Sequence, residues 1–231
     1  VPLNSNESPA KRLEIIKSKI AAFADQYDSK QEIQLLAVSK TQPAEVVSKL
    51  HKESRHVSFG ENYIQELEEK ATQLKHLPIE WHFIGKLQSN KISRLVEICK
   101  CIQTVESEKH ARYVAKYAKE FNKAPFPIYI AVNAGQEAQK SGVPLSQVPK
   151  LALIIEQLPE LKLEGIMAIP PVHYSDENYE FPPELYQQLA ALAKTTGKGK
   201  LSLGMSQDLK LAIQSGSSYV RIGRAIFGER L

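Results

Sequence analysis

Residues 33–43 read IQLLAVSKTQP, and how this stretch is read decides the fold. Leu35, Leu36, Ala37 and Val38 form an apolar run too short for a helix of its own, and turn-prone residues follow it. Such a run reads as a buried strand of a parallel sheet. Lys40 stands two residues past the run, where strand gives way to loop, and Pro43 opens a helical pattern. Burial among apolar walls would lower this lysine's pKa from its ordinary value of about 10.4, because the charged form loses its hydration. A neutral amine in a pocket is the nucleophile that forms a Schiff base with a carbonyl. A snorkelling surface lysine at a strand end would leave the same local sequence.

Upstream, Leu13, Ile16, Ile20 and Phe23 fall at helical spacing and predict a leading helix over about 10–27 that starts at Ser8-Pro9. Downstream, apolar runs predict further strands over 56–60, 81–85, 101–105, 127–132, 161–168, 201–204 and 219–222. Between and after them, helical patterns cover 43–51, 61–77, 90–98, 108–121, 144–158, 184–194, 207–214 and 225–230. Eight strands alternating with helices, and no composition break, predict an α/β fold: a single-domain (β/α)8 TIM barrel over 1–231 with an extra N-terminal helix. An open doubly wound sheet would alternate in the same way, but the Gly-rich dinucleotide fingerprint is missing. Glu68-Glu69-Lys70 and residues 116–119 read as solvated helix faces.

A net charge of +4 is mild, and no basic stripe carries interleaved aromatics, so nucleic acid is not an expected partner. No apolar run approaches the ~20 residues of a membrane span, and residues 1–9 lack the pattern of a signal peptide. Two cysteines, Cys99 and Cys101, give no disulfide framework, which fits a cytoplasmic location, and read as core packing. The six histidines show no metal spacing, and His82, inside WHFIG, reads as a core histidine rather than a general base. No metal is expected.

In such a barrel the site lies at the carboxyl ends of the strands. Lys40 follows the first strand and Asn62 the second. Gly204-Met205-Ser206 follows the seventh, and Arg221-Ile222-Gly223-Arg224 the eighth. The last two stretches each lead from strand to helix start, where glycine admits an anion to exposed amides and the helix dipole. A phosphate there and an electrophile-seeking lysine opposite suggest a phosphorylated carbonyl compound. Ser206 would also serve as a plain helix cap. Arg221 suits either a ring or carboxylate of a ligand or a salt bridge at the barrel rim.

Five motifs, AVSKTQP, FGENYIQE, WHFIGKLQSNK, LSLGMSQD and YVRIGRAIFG, resemble in order the signatures of the YggS/PROSC family of pyridoxal phosphate homeostasis proteins. That family is similar in fold to the N-terminal barrel of alanine racemase. The resemblance runs from Leu36 to Gly228. It implies pyridoxal 5′-phosphate (PLP) as an internal aldimine on Lys40, with its phosphate held by Ser206 and the amides around Met205, Gly223 and Arg224. It also implies that Arg221 faces the pyridine nitrogen and that Asn62 lies beside the cofactor. Two departures stand out: Arg224 occupies a position often threonine or serine in the family, and residues 170–183 are unusually rich in Pro, Tyr and acid.

An arginine against the ring nitrogen disfavours its protonation, which weakens the ring as an electron sink. Racemases of similar fold also use a tyrosine from a further domain of a partner subunit, and this sequence ends directly after the barrel. The expectation is therefore a protein that carries or buffers PLP in vitamin B6 and amino-acid homeostasis, without catalysis, as a cytoplasmic monomer. Its partners would be PLP and apo PLP-dependent enzymes as acceptors. The alternatives are a PLP-dependent racemase or lyase, and a Schiff-base aldolase acting on a phosphosugar.

Overall fold

Ser8 begins the fold by capping helix α1 (Pro9–Gln26): its hydroxyl accepts from the Lys11 amide, and Pro9 fills the first turn, where no N–H is needed. This is a computed structural model describing residues 7–135, 141–171 and 173–228. The strands are β1 (Gln34–Val38), β2 (Ser58–Glu61), β3 (Glu80–Phe83), β4 (Cys101–Val105), β5 (Phe126–Val132), β6 (Leu161–Ala168), β7 (Lys200–Ser202) and β8 (Tyr219–Ile222). Between and after them come α2 (Ala44–Ser54), α3 (Ile64–Gln73), α4 (Ile92–Ile98), α5 (Glu108–Glu120), α6 (Val148–Glu156), α7 (Glu184–Lys194), α8 (Leu209–Gln214) and α9 (Arg224–Phe227). Each strand runs parallel to the next, and β8 closes onto β1 through Leu36↔Arg221 and Ala37↔Ile222. The predicted (β/α)8 barrel is the fold.

Alternation along the strands sorts side chains into two cores. Leu35, Ala37, Phe59, Phe83, Ile102, Ile128, Ile130, Val220 and Ile222 point outward and pack under the helices. Leu36, Val38 and Ile84 form one small interior cluster, and Cys101, Tyr129, Ala131 and Met167 another. Helix α1 contributes Leu13, Ile16 and Ile20 to the outer core and packs against α2, α8 and α9. Both cysteines are buried and reduced; burial pushes the Cys99 thiol up to about 12, so packing is their role. Among the described residues no helix is long and apolar enough to cross a membrane.

The boundaries depart from expectation where side chains compete for the backbone. Glu61, read as a helix start, stays in β2, pairs with Phe83, and its carbonyl accepts from the Ile84 amide at 2.9 Å. Single 3₁₀ turns, Ser89–Lys91 and Leu145–Gln147, precede α4 and α6. Helix α8 begins late, at Leu209, because Asp208 Oδ1 draws the Met205 amide into a turn at 2.7 Å. Ser206 is therefore not the cap; it lies exposed in that turn.

Candidate functional site

All seven sequence-predicted residues, Lys40, Asn62, Met205, Ser206, Arg221, Gly223 and Arg224, line one cavity of about 480 Å³ beyond the carboxyl ends of β1, β2, β7 and β8. Lys40, Asn62, Met205 and Gly223 are half-buried, Arg221 is buried, and Ser206 and Arg224 are exposed at the rim. Val38, Ile84 and Ile169 supply apolar wall. Gly85 is where the β3 loop crosses Asn62: a Cβ there would stand 1.8 Å from the Asn62 carbonyl oxygen, so only glycine permits the crossing. The Asn62 Oδ1 atom is buried with no partner among the described residues.

Arg221 enters the barrel from β8, inward by strand alternation. Nη1 donates to the Ser202 carbonyl at 2.6 Å and to Ser202 Oγ at 2.8 Å, and Nη2 to the Ala168 carbonyl at 2.7 Å. Desolvation lowers its pKa to about 10, which still leaves the guanidinium charged at neutral pH. Of its five N–H groups, these bonds commit three, and the remaining edge has no acceptor among the described residues. The rim salt bridge is not formed: no carboxylate among the described residues pairs with Arg221.

Behind Arg221 the polar chain continues. Ser202 Oγ donates to Gln103 Oε1 at 2.7 Å, Gln103 Nε2 donates to His82 Nδ1 at 3.2 Å, and Ser58 Oγ lies 3.5 Å from His82 Nε2. Burial lowers the His82 pKa to about 4, so the ring is neutral, and with Nδ1 accepting, Nε2 carries the proton. Every donor thus points away from the guanidinium, and each bond polarises the next. His82 is a core histidine, as expected.

A second network grips the chain on both sides of Lys40. Ser39 Oγ donates to Glu61 Oε1 at 2.6 Å, and Lys70 Nζ donates to that same oxygen at 2.7 Å, to the Ser39 carbonyl at 2.8 Å and to Glu66 Oε2 at 3.1 Å. Glu66 Oε2 also accepts from the Thr41 amide at 2.7 Å. Lys70, read as part of a solvated face, is instead 5% exposed. Its place in the charged run EEK conceals that it shares a stripe of α3 with buried Leu67 and Ile64. Desolvation raises the Glu61 carboxyl despite the lysine beside it.

The turn after β7 is fixed from beneath. Gly204 sits at φ +103, a conformation open to glycine. Asp208, buried, accepts from Met205 N through Oδ1 and from Tyr186 Oη through Oδ2 at 2.6 Å. Asp176, from the loop between β6 and α7, accepts from the Lys210 and Leu211 amides at 2.9 and 3.0 Å. The end of α8 and the Met205 amide are therefore already committed, which leaves the turn itself, with Gly223 and α9 opposite, as the anion-facing backbone. Sequence reading missed Glu61, Lys70, Gln103, Ser202, Asp208 and Asp176. Three of these, Glu61, Ser202 and Asp208, stand inside the quoted motifs.

The family profile of the alanine racemase N-terminal domain matches residues 12–231. The pyridoxal phosphate homeostasis protein of Caenorhabditis elegans is 40% identical over 235 residues, 91% of this chain and 93% of that one. The chain belongs to the pyridoxal phosphate homeostasis protein family. Another structure similar to this family member is that of PipY from Synechococcus elongatus PCC7942, at 28% identity over 96% of this chain and all of that one. The TM-score is 0.82 against PipY without PLP and 0.77 against PipY with PLP bound. Alanine racemase of Clostridium difficile 630, at 14% identity and a TM-score of 0.68 over 95% of this chain and 57% of that one, shares the fold.

Proposed function

We propose that this cavity binds pyridoxal 5′-phosphate, with its aldehyde held by Lys40 as a Schiff base, and that the protein carries or buffers the cofactor in vitamin B6 and amino-acid homeostasis. The observation that carries this reading is the meeting of Lys40, Arg221 and the two anion-facing turns in one cavity. The residues fit the group. Arg221 has N–H donors left over for an acceptor such as a ring nitrogen, Asn62 Oδ1 has no donor among the described residues, and the Ser206 turn and the Gly223–Arg224 backbone offer an anion cradle. At Gly223 a Cβ would press to 3.3 Å from the Val38 carbonyl oxygen, so glycine lets the chain leave β8 close against β1. The names of the family's relatives and the PLP-bound PipY structure support the same reading.

When bound, PLP supplies an electrophilic aldehyde and an electron-accepting ring. Lys40 would anchor the aldehyde, the Ser206 hydroxyl and the Gly223 and Arg224 amides the phosphate, and Asn62 a polar substituent of the ring. Arg221, anchored by Ser202 and Ala168, would keep a fixed cation at the ring nitrogen, where two positive charges are not tolerated in a confined site. That favours retention of the cofactor over carbanion chemistry, so a carrier is preferred to a racemase or lyase. Apo PLP enzymes would be its acceptors, and a cytoplasmic monomer its working form.

The test is the visible spectrum of the purified protein with added PLP, then borohydride reduction and peptide mapping. The expected result is a yellow protein with reduced pyridoxyl phosphate on the Lys40 peptide, lost in Lys40→Ala. A colourless, unlabelled protein would overturn the cofactor and favour a phosphosugar. Amino-acid turnover that vanishes in Lys40→Ala would replace the carrier with an enzyme.

A further inference from the structure

Lys70 and Glu61 form a costly pair near the cavity, since taking an ion pair out of water is repaid only by dense hydrogen bonding. Their side chains are 6% and 0% exposed, and Glu61 Oε2 still lacks a partner among the described residues. An apolar residue reaching down from α3 would fill the same space, so filling alone does not explain a buried ammonium. What the ammonium reaches does. It holds the carbonyl of Ser39, the residue before Lys40. It also shares Glu61 with the Ser39 hydroxyl and Glu66 with the amide of Thr41, the residue after Lys40. Thr41 sits at φ +64, a strained conformation for a β-branched residue. The Glu66 carboxylate binds the amide of that residue, so Glu66 and Lys70 of α3, with Glu61 of β2, hold the bend in place.

We propose that Lys70, seated between Glu61 and Glu66, is a positioning residue for Lys40: it fixes the backbone on both sides of that lysine, and so sets how long PLP stays in the cavity. The retention half rests on the cofactor reading above. Lys70 touches no ligand; it acts through Ser39 and Thr41.

Two readouts test it on the full chain: hydrogen exchange of the Thr41 and Gln42 amides without PLP, and the rate at which bound PLP is lost on dilution, followed by visible absorbance. Glu66 is partly exposed, so Glu66→Ala keeps the fold while freeing the Thr41 amide and one face of Lys70. Both rates should rise on the order of tenfold, the worth of one hydrogen bond to a charged group. Glu66→Gln, which keeps an acceptor for Thr41, should recover most of the loss. Lys70→Met should exceed both, and Glu69→Ala, on the exposed face, should change neither. Faster exchange with unchanged PLP release would overturn the positioning role. Unchanged exchange in Glu66→Ala would overturn the clamp itself. Absence of a Lys40 adduct in the wild type would overturn the cofactor reading and the retention half with it. The exchange arm would still report the clamp, which keeps the two failures apart.

Discussion

Ser202→Ala should be far costlier than the loss of one hydroxyl from a barrel strand suggests. Ser202 Oγ accepts from Arg221 at 2.8 Å and donates to Gln103 Oε1 at 2.7 Å, with no exposure to solvent. The substitution removes a hydrogen bond to a charged group, about 1.5–3 kcal/mol, and orphans a buried amide oxygen, about 1–3 kcal/mol. Arg221 keeps the Ser202 and Ala168 carbonyls, so the cation is not stranded. A net loss of about 3 kcal/mol follows, or roughly 6–12 °C in Tm for a domain of this size. Urea unfolding followed by the single tryptophan, Trp81, and by circular dichroism would measure it, with an unchanged m-value as the check on two-state behaviour. In the double variant with Gln103→Leu the orphaned acceptor is gone, so the two costs should fall short of their sum by about 1 kcal/mol or more. A loss below about 1 kcal/mol, or strict additivity, would refute the view that the interior chain is one cooperative unit.

Gly204→Ala places a Cβ 2.5 Å from Ala212 Cβ at φ +103, and should cost about 3 kcal/mol in urea unfolding through strain and overpacking together. Tyr186→Phe leaves Asp208 Oδ2 without its donor, and should cost about 1–3 kcal/mol in the same assay while weakening retention of an anion at the Met205–Ser206 turn. The pH dependence follows from His82 and His56, both lowered by burial from 6.5 to about 4. The unfolded chain takes up protons below 6.5 that the folded chain refuses until about 4, so stability is full above pH 6.5 and is lost as pH falls toward 4. The slope is up to about 1.4 kcal/mol per pH unit for each group, partly opposed by Glu61, whose raised carboxyl protonates earlier when folded. His82→Gln should flatten the profile of Tm between pH 6.5 and 4; an unchanged slope would remove His82 from the account.

The barrel was legible because its signal is repetitive: eight short apolar runs ending in turn residues, each followed by a helical period, agree with one architecture and few others. The cavity was legible where the barrel geometry assigns strand ends to function: Lys40, Asn62, Ser206 and Arg221 all follow or end strands in the sequence, and all line the one cavity. What was not legible depends on contacts distant in sequence. Gln103 and Ser202 lie 99 residues apart and look like ordinary polar residues within strands. The sequence conceals Lys70 for a physical reason: charge predicts exposure until a buried partner is known, and its partner Glu61, at a predicted helix start, belongs to β2. The late start of α8 was hidden because the turn made by Asp208 and the Met205 amide has no periodicity to read, and Asp176, which binds the Lys210 and Leu211 amides, comes from a distant loop.

Both networks end at the same place. The interior chain runs from Ser58 through His82, Gln103 and Ser202 to Arg221, and the triad of Glu61 from β2 with Lys70 and Glu66 from α3 runs to the residues flanking Lys40. Buried polar chains of this kind are a poor source of stability, since apolar residues of similar volume would do as well or better. Their cost is balanced by what they hold still: a cation and an amine on two walls of one cavity. A ligand entering there meets groups already oriented, so less of its binding energy goes into ordering side chains. For a cofactor held as proposed, loss from the cavity then depends on the wall that can give way. The interior chain is sealed inside the barrel, whereas the triad reaches solvent through the partly exposed Glu66. Release governed from the Lys40 side is therefore the expectation, and a dissociation rate more sensitive to Glu66→Ala than to Ser202→Ala would bear it out.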